Sequence, residues 1–91
     1  MDDNESKTLD LGEAAALLAT GFNLLRLEPT NRERQRAFVY EEVHTTTGAK
    51  APAVIHDYRR KKLQVDAYGF YLSVKELKSR LHDELELAGE E

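Results

Sequence analysis

The sequence predicts a small single-domain α+β protein in the order helix, β-hairpin, helix, helix (αββαα). Three observations favour this fold class. A chain of 91 residues supports one hydrophobic core. Amphipathic helical periodicity appears near both ends, and two short strand-like runs lie between. We place the domain at residues 8–87, with frayed acidic ends at 1–7 and 88–91.

The first helix lies between Asp10 and Gly21. Asp10 is a good N-cap, and Glu13 follows at the spacing of a capping box. Apolar residues then recur at helical spacing from Leu11 onward. Gly21 can adopt the left-handed conformation that ends a helix, and Phe22 can fold back onto the last turn.

A β-hairpin is predicted next, with strands at 22–28 and 35–43 and a tip near 29–34. The tip contains turn-forming residues, and the second strand alternates in side-chain type. Which face of that strand is buried stays open at this point. One face carries Ala37, Val39 and Val43, and the other carries Arg36, Phe38, Tyr40 and Glu42.

Two helices complete the chain after a loop at 44–51. Pro52 fits the first turn of a short helix. The last helix has two possible starts, which remain open. Asp66 can cap a helix whose apolar stripe begins at Phe70, whereas Ser73 and Glu76 form a second capping box further along.

Composition excludes several classes of protein. The chain has no cysteine, so disulfide scaffolds, thiolate metal sites and thiol chemistry are excluded. No run approaches the roughly 18 apolar residues of a membrane span, and the first residues do not resemble a secretory signal. We therefore expect a cytoplasmic protein without a membrane partner. The net charge of −4 divides into −3 over 1–10, +4 over 11–82 and −5 over 83–91.

The residues that carry chemistry do not form a catalytic or metal-binding pattern. His44, His56 and His82 lie on separate predicted elements, so no two share one helical face. Neighbouring carboxylates point apart, and no glycine-rich phosphate loop occurs. We expect no enzyme activity, no cofactor and no metal.

Basic and aromatic residues are the candidates for binding. An exposed strand face with cations and rings would suit single-stranded nucleic acid, but burial of the two rings beneath helices is the favoured interpretation. Tyr58, Tyr68 and Tyr71 form a second candidate, a patch for a protein partner. The candidate residues for nucleic acid or a partner are Arg34, Arg36, Phe38, Tyr40, Arg59, Arg60, Lys61 and Lys62.

Three segments resemble a family of short bacterial and phage proteins classed as a domain of unknown function. They are residues 8–28, the strand around Arg36–Phe38–Val39–Tyr40, and residues 65–78. The family has a Thr-x-Asp start, an Ala-rich helix ending in Gly, an Arg-x-Phe-Val-Phe-like strand and a Val-Asp-Pro…Lys-x-Leu-Lys helix. Here Ala67 replaces the proline and Tyr40 the last phenylalanine. The resemblance implies a bacterial or phage source and supplies no catalytic residues.

The sequence thus predicts a non-catalytic protein-interaction or accessory module. The expected partner is a protein of unknown identity, and the expected state is a monomer or a weak homodimer. The alternative is a weak nucleic-acid-binding module that uses the hairpin face and the basic end of the second helix. That alternative depends on whether Phe38 and Tyr40 are exposed beside Arg36.

Overall fold

Three helices and one three-stranded antiparallel sheet form the domain in the computed structural model, which describes residues 4–89. The α+β class and the order helix, hairpin, helix, helix are confirmed, with one additional strand at the start. The parts of the predicted frayed ends at 1–3 and 90–91 lie outside the described residues. The elements are β1 (Glu5–Thr8), α1 (Leu11–Ala19), β2 (Leu24–Pro29), β3 (Arg36–Glu41), α2 (Ala51–Arg59) and α3 (Ala67–Gly89).

The prediction that residues 1–7 fray is wrong for residues 5–7, which belong to β1. This strand pairs antiparallel with β3, and the sheet order is β1-β3-β2. β1 therefore covers a hairpin edge that would otherwise expose unpaired N–H and C=O groups. The segment gave no strand signal because its side chains are polar, whereas strand prediction relies on apolar alternation.

Ion pairs cover the outer face of the sheet above Val39. This residue lies between Lys7 on β1 and Arg26 on β2. Arg26 Nη2 lies 2.7 Å from a carboxylate oxygen of Glu5 and 2.7 Å from one of Glu28, and Lys7 Nζ lies 3.0 Å from Glu28. The Arg26–Glu5 and Lys7–Glu28 pairs each join β1 to β2, so these two pairs span the middle strand. Val39 is consequently 0 % exposed although charged residues flank it.

The inner face of the sheet packs Phe38 and Tyr40 against α1 and α3. Both rings are buried, and the Tyr40 hydroxyl donates a 2.6 Å hydrogen bond to the Ala14 carbonyl. Burial raises the pKa of Tyr40, because a phenolate would lose its hydration there. Small alanine side chains in α1 allow this close approach, and Leu77 of α3 is buried in the same cluster. Both faces of β3 are therefore buried.

The N-cap at Asp10 and the C-terminal turn at Gly21 are formed as predicted. The Asp10 carboxylate accepts a hydrogen bond from the Glu13 N–H at the N-terminus. At the other end Gly21 has a φ of 98°, and the N–H groups of Gly21 and Phe22 donate to carbonyls of the last turn. This is a Schellman motif, in which Phe22 folds back into the core.

Glu13 is a buried carboxylate that ties three elements together. The N–H of Asp10 donates to the Thr8 hydroxyl at 3.1 Å, not to Glu13 as the capping box predicted. The same hydroxyl donates to Glu13 at 2.7 Å. The other carboxylate oxygen accepts a hydrogen bond from the Arg59 guanidinium in the last turn of α2. One side chain of α1 therefore holds β1 and α2 in place.

The start of α3 is set by Asp66. Its carboxylate accepts a 2.7 Å hydrogen bond from the Gly69 N–H, and its carbonyl accepts one from Phe70 at 2.8 Å. The alternative start near Ser73 is excluded, because the helix begins at Ala67 and Ser73 is buried in its second turn. α3 packs against α1 and extends to Gly89, beyond the predicted domain limit at residue 87.

Tyr40→Phe tests the hydrogen bond between β3 and α1. The variant keeps the ring and removes the hydroxyl, so the free energy of unfolding should fall by about 1 kcal/mol, a typical net value for a buried hydrogen bond. Urea titration at pH 7 measures the change. Tyr68→Phe removes an exposed hydroxyl and should leave stability unaltered. An equal loss in the two variants would contradict the assignment.

Glu13→Gln tests the carboxylate that joins β1, α1 and α2. The hydrogen bond from Arg59 outweighs burial and holds the pKa of Glu13 below its ordinary 4.5. Its stabilising contribution is therefore present above pH 4.5 and lost as the pH falls below that value. We expect the variant to lose about 1–2 kcal/mol at pH 7 and less than that at pH 3.

Chemical denaturation at several pH values measures this difference. Glu33→Gln, which changes an exposed carboxylate in the hairpin loop, is the control and should match the parent protein throughout. A gap between Glu13→Gln and the parent that does not depend on pH would rule out the charge as its cause.

Candidate functional site

The predicted strand site is largely inside the protein. Phe38 and Tyr40 are buried, so their rings are not available to stack with bases. Arg36 is also buried, and its Nη1 donates to two backbone carbonyls of the hairpin loop. Its Nε lies 3.5 Å from Glu84 on α3. Of the predicted strand candidates, Arg34 alone is exposed, and it lies in the loop that precedes β3.

The basic run at the end of α2 is divided between structure and surface. Arg59 binds the buried Glu13, and this pairing is structural. Arg60, Lys61 and Lys62 are exposed, and within residues 4–89 they form no ion pair. A shallow depression of about 540 Å³ lies beside them, lined by Tyr58, Arg59, Lys61 and Leu63. The run therefore offers a cationic surface without aromatic stacking partners from β3.

Lys61 has a left-handed backbone. Its φ is 61°. The N–H of Lys61 donates to the backbone carbonyl of Tyr58, and the N–H of Lys62 donates to the backbone carbonyl of Asp57. This is the same Schellman motif that ends α1, with lysine in the position that glycine prefers. A residue with a Cβ atom is sterically strained at such a φ, and this strain lowers the free energy of unfolding.

The exposed aromatic residues lie on the first two turns of α3. Tyr68 is 67 % exposed, Tyr71 55 % and Leu72 44 %. The two rings stack with centroids 6.4 Å apart, and Lys75 Nζ lies 5.5 Å from the Tyr71 centroid. These four residues, here named the aromatic patch, are neighbours because positions three and four apart adjoin on a helix.

Sequence reasoning identified part of the aromatic patch. It named Tyr58 with Tyr68 and Tyr71, but Tyr58 is half-buried, and its hydroxyl lies close to Gly12 at the start of α1. It did not name Leu72, although the spacing of four residues from Tyr68 was the available signal. The opposite stripe of α3, which includes Phe70, packs against the core and turns the patch outward.

His44 has a structural task. Its Nδ1 accepts hydrogen bonds from the N–H groups of Thr46 and Thr47, so Nε2 is the donor to the Thr20 carbonyl at 3.1 Å. Phe22 contacts the ring edge to face, with centroids 5.3 Å apart. The loop after β3 is thereby fastened to the end of α1.

Residues 4–89 contain no group of three His, Cys, Asp or Glu side chains placed to hold a metal ion. In the same part of the chain, no helix is both long and apolar enough to cross a bilayer. Exposed groups suited to binding within residues 4–89 include the aromatic patch and the free cations.

Lys61→Gly tests the strain at the end of α2. Glycine adopts a φ of 61° without steric cost, so the free energy of unfolding should rise by about 0.5–1 kcal/mol. Lys62→Gly removes a neighbouring cation where φ is not positive, and it should not stabilise the protein. Thermal and urea unfolding compare the two, and equal stabilisation of both would point to charge instead of backbone strain.

Comparison of the chain with protein-family models, with curated proteins and with solved structures finds no match. The family resemblance of the sequence therefore remains a prediction. The geometry of the two exposed surfaces is the basis on which a function can be proposed.

Proposed function

We propose that this chain is a non-catalytic protein-interaction module that binds through the aromatic patch of α3. The observation that carries this proposal is the clustering of Tyr68, Tyr71 and Leu72, all exposed, on adjacent turns of one helix. Single exposed apolar residues are ordinary on protein surfaces, but a contiguous group is typical of an interaction site.

The chemistry of the patch fits a protein partner. Tyrosine is enriched at binding hot spots, because it buries a large ring while its hydroxyl keeps a polar contact. Lys75 sits over the Tyr71 ring and adds a positive charge at the rim. A matching partner would offer carboxylates near Lys75.

Nucleic-acid binding is the weaker proposal. It retains the exposed cations Arg34, Arg60, Lys61 and Lys62, but it loses Phe38 and Tyr40, which are buried. Charge alone supports only sequence-independent attraction to phosphates. We also propose a bacterial or phage source, from the family resemblance, and a cytoplasmic location, from the sequence pattern alone.

Photo-crosslinking tests the role of the patch. A benzoylphenylalanine at position 71 should give an adduct of discrete mass in cells that express the protein. The same probe at position 31, in the exposed hairpin loop, is the control and should not give that adduct. The double variant Tyr68→Ser/Leu72→Ser should reduce the adduct at least about tenfold, because truncated hot-spot residues commonly cost this much affinity.

Circular dichroism of the double variant checks that the fold is retained, as expected for side chains outside the core cluster. Equal adducts from positions 71 and 31, or none from either, would overturn the proposed binding surface.

A further inference from the structure

We propose that the aromatic patch recognises a second copy of this chain, through antiparallel pairing of the two α3 helices. This inference rests on the proposed function, since it names the partner of the same surface. Three properties of α3 support it: the spacing of its exposed residues, the distribution of its charges and the symmetry that a pair of copies requires.

The outward face of α3 has the spacing of a helix-pairing seam. Exposed residues recur at alternating intervals of four and three along it, which is the heptad spacing of paired helices. Tyr68 and Leu72 occupy the first two positions, and the other four positions are polar or charged. The helix has 23 residues and is about 34 Å long at 1.5 Å per residue, so the seam extends well beyond the patch. The seam residues are Tyr68, Leu72, Lys75, Ser79, His82 and Glu86.

Charge decides the direction of pairing. The first half of this helix exposes Lys75 and Lys78, and the second half exposes Asp83 and Glu86. Glu76 and Arg80 are exposed between them and pair with each other. Parallel copies would set like charges against each other. Antiparallel copies bring the cationic half of each helix against the anionic half of the other, which is the complementarity that fixes partner and register.

The same arrangement satisfies twofold symmetry. In a symmetric dimer each contact occurs twice, so one surface must complement itself. A face with opposite charges in its two halves does so about an axis near its middle, where Ser79 is small enough for close approach. An axis there also places an aromatic patch at each end of the interface.

The charges on this face are available to a partner. Within residues 4–89, Lys75, Lys78 and Asp83 have no ion-pair partner, and Glu86 reaches only His82, at 3.9 Å. Arg80, by contrast, pairs with Glu76 at 3.0 Å and stays with its own helix. Because Lys75 and Asp83 are equally far from Ser79, antiparallel pairing about that residue would set the free Lys75 of each copy opposite the free Asp83 of the other.

Charge exchange between copies tests the dimer. One helix face buries less than the about 1,200 Å² of a standard interface, so we expect self-association with a Kd of about 10–100 µM. Sedimentation velocity between about 5 and about 500 µM brackets that range. Lys75→Glu/Lys78→Glu makes the whole face acidic, and Asp83→Lys/Glu86→Lys makes it basic. Each variant alone should lose at least about tenfold in affinity, since like charges then oppose each other.

An equimolar mixture of the two variants should associate at least as tightly as the parent protein, because every half again meets its opposite. Arg32→Glu/Arg34→Glu carries the same net charge as the acidic variant and changes only the hairpin loop. It should self-associate like the parent protein, and mixed with the basic variant it should associate less tightly than the matched pair. Salt should weaken all of these complexes.

A parent protein that stays monomeric at the highest concentration would overturn the dimer, as would variants that associate like the parent. A different outcome distinguishes the proposed function from the dimer. A discrete adduct from position 71 to a different protein would keep the interaction surface and remove the second copy as its partner. No adduct and no self-association would overturn both.

Discussion

A middle strand that is buried on both faces needs side chains packed on each face and a hydrogen-bonded strand at each edge. β3 obtains these from separate parts of the chain. Tyr40 lies under α1 and donates a hydrogen bond to it, whereas Val39 lies under ion pairs between the two edge strands. The inner cover is apolar, and the outer cover consists of charged side chains whose aliphatic stems can lie over valine. Both edge strands, α1 and α3 contact or cover this strand, whereas α2 packs on α1.

The basic residues of this protein form two groups, those that pair with a carboxylate in the fold and those that are exposed and unpaired within residues 4–89. Arg26, Arg36 and Arg59 belong to the structure, because each meets a carboxylate of another element. Lys75 and Lys78 meet none among the described residues, and they lie on the exposed face of α3. A basic residue counted in the sequence is therefore a binding candidate only after its partner in the fold is known.

α3 combines a structural stripe with a free one. Its inward stripe, which includes Phe70 and Leu77, packs on the core around α1. Its outward stripe keeps two tyrosine rings and one leucine in solvent, where none of the three contributes to the core. Exposed apolar side chains lower solubility without adding stability. A partner that covers this face of α3 would account for them. The symmetry of its charges is what favours a second copy over an unrelated protein.

The sequence by itself determined the three helices, the hairpin and both ends of α1, because caps such as Asp10 and Gly21 act on their own neighbours. It left the start of α3 open between Asp66 and Ser73. Only the tertiary structure decided the rest. β1 was missed because its polar residues become a strand only when β3 offers an edge. The candidate site was only partly predictable for the same reason: Arg36 and Tyr40 share a face in any strand, but what covers that face comes from α1 and α3, far along the chain. Local signals fix local geometry, whereas burial depends on which distant segments meet.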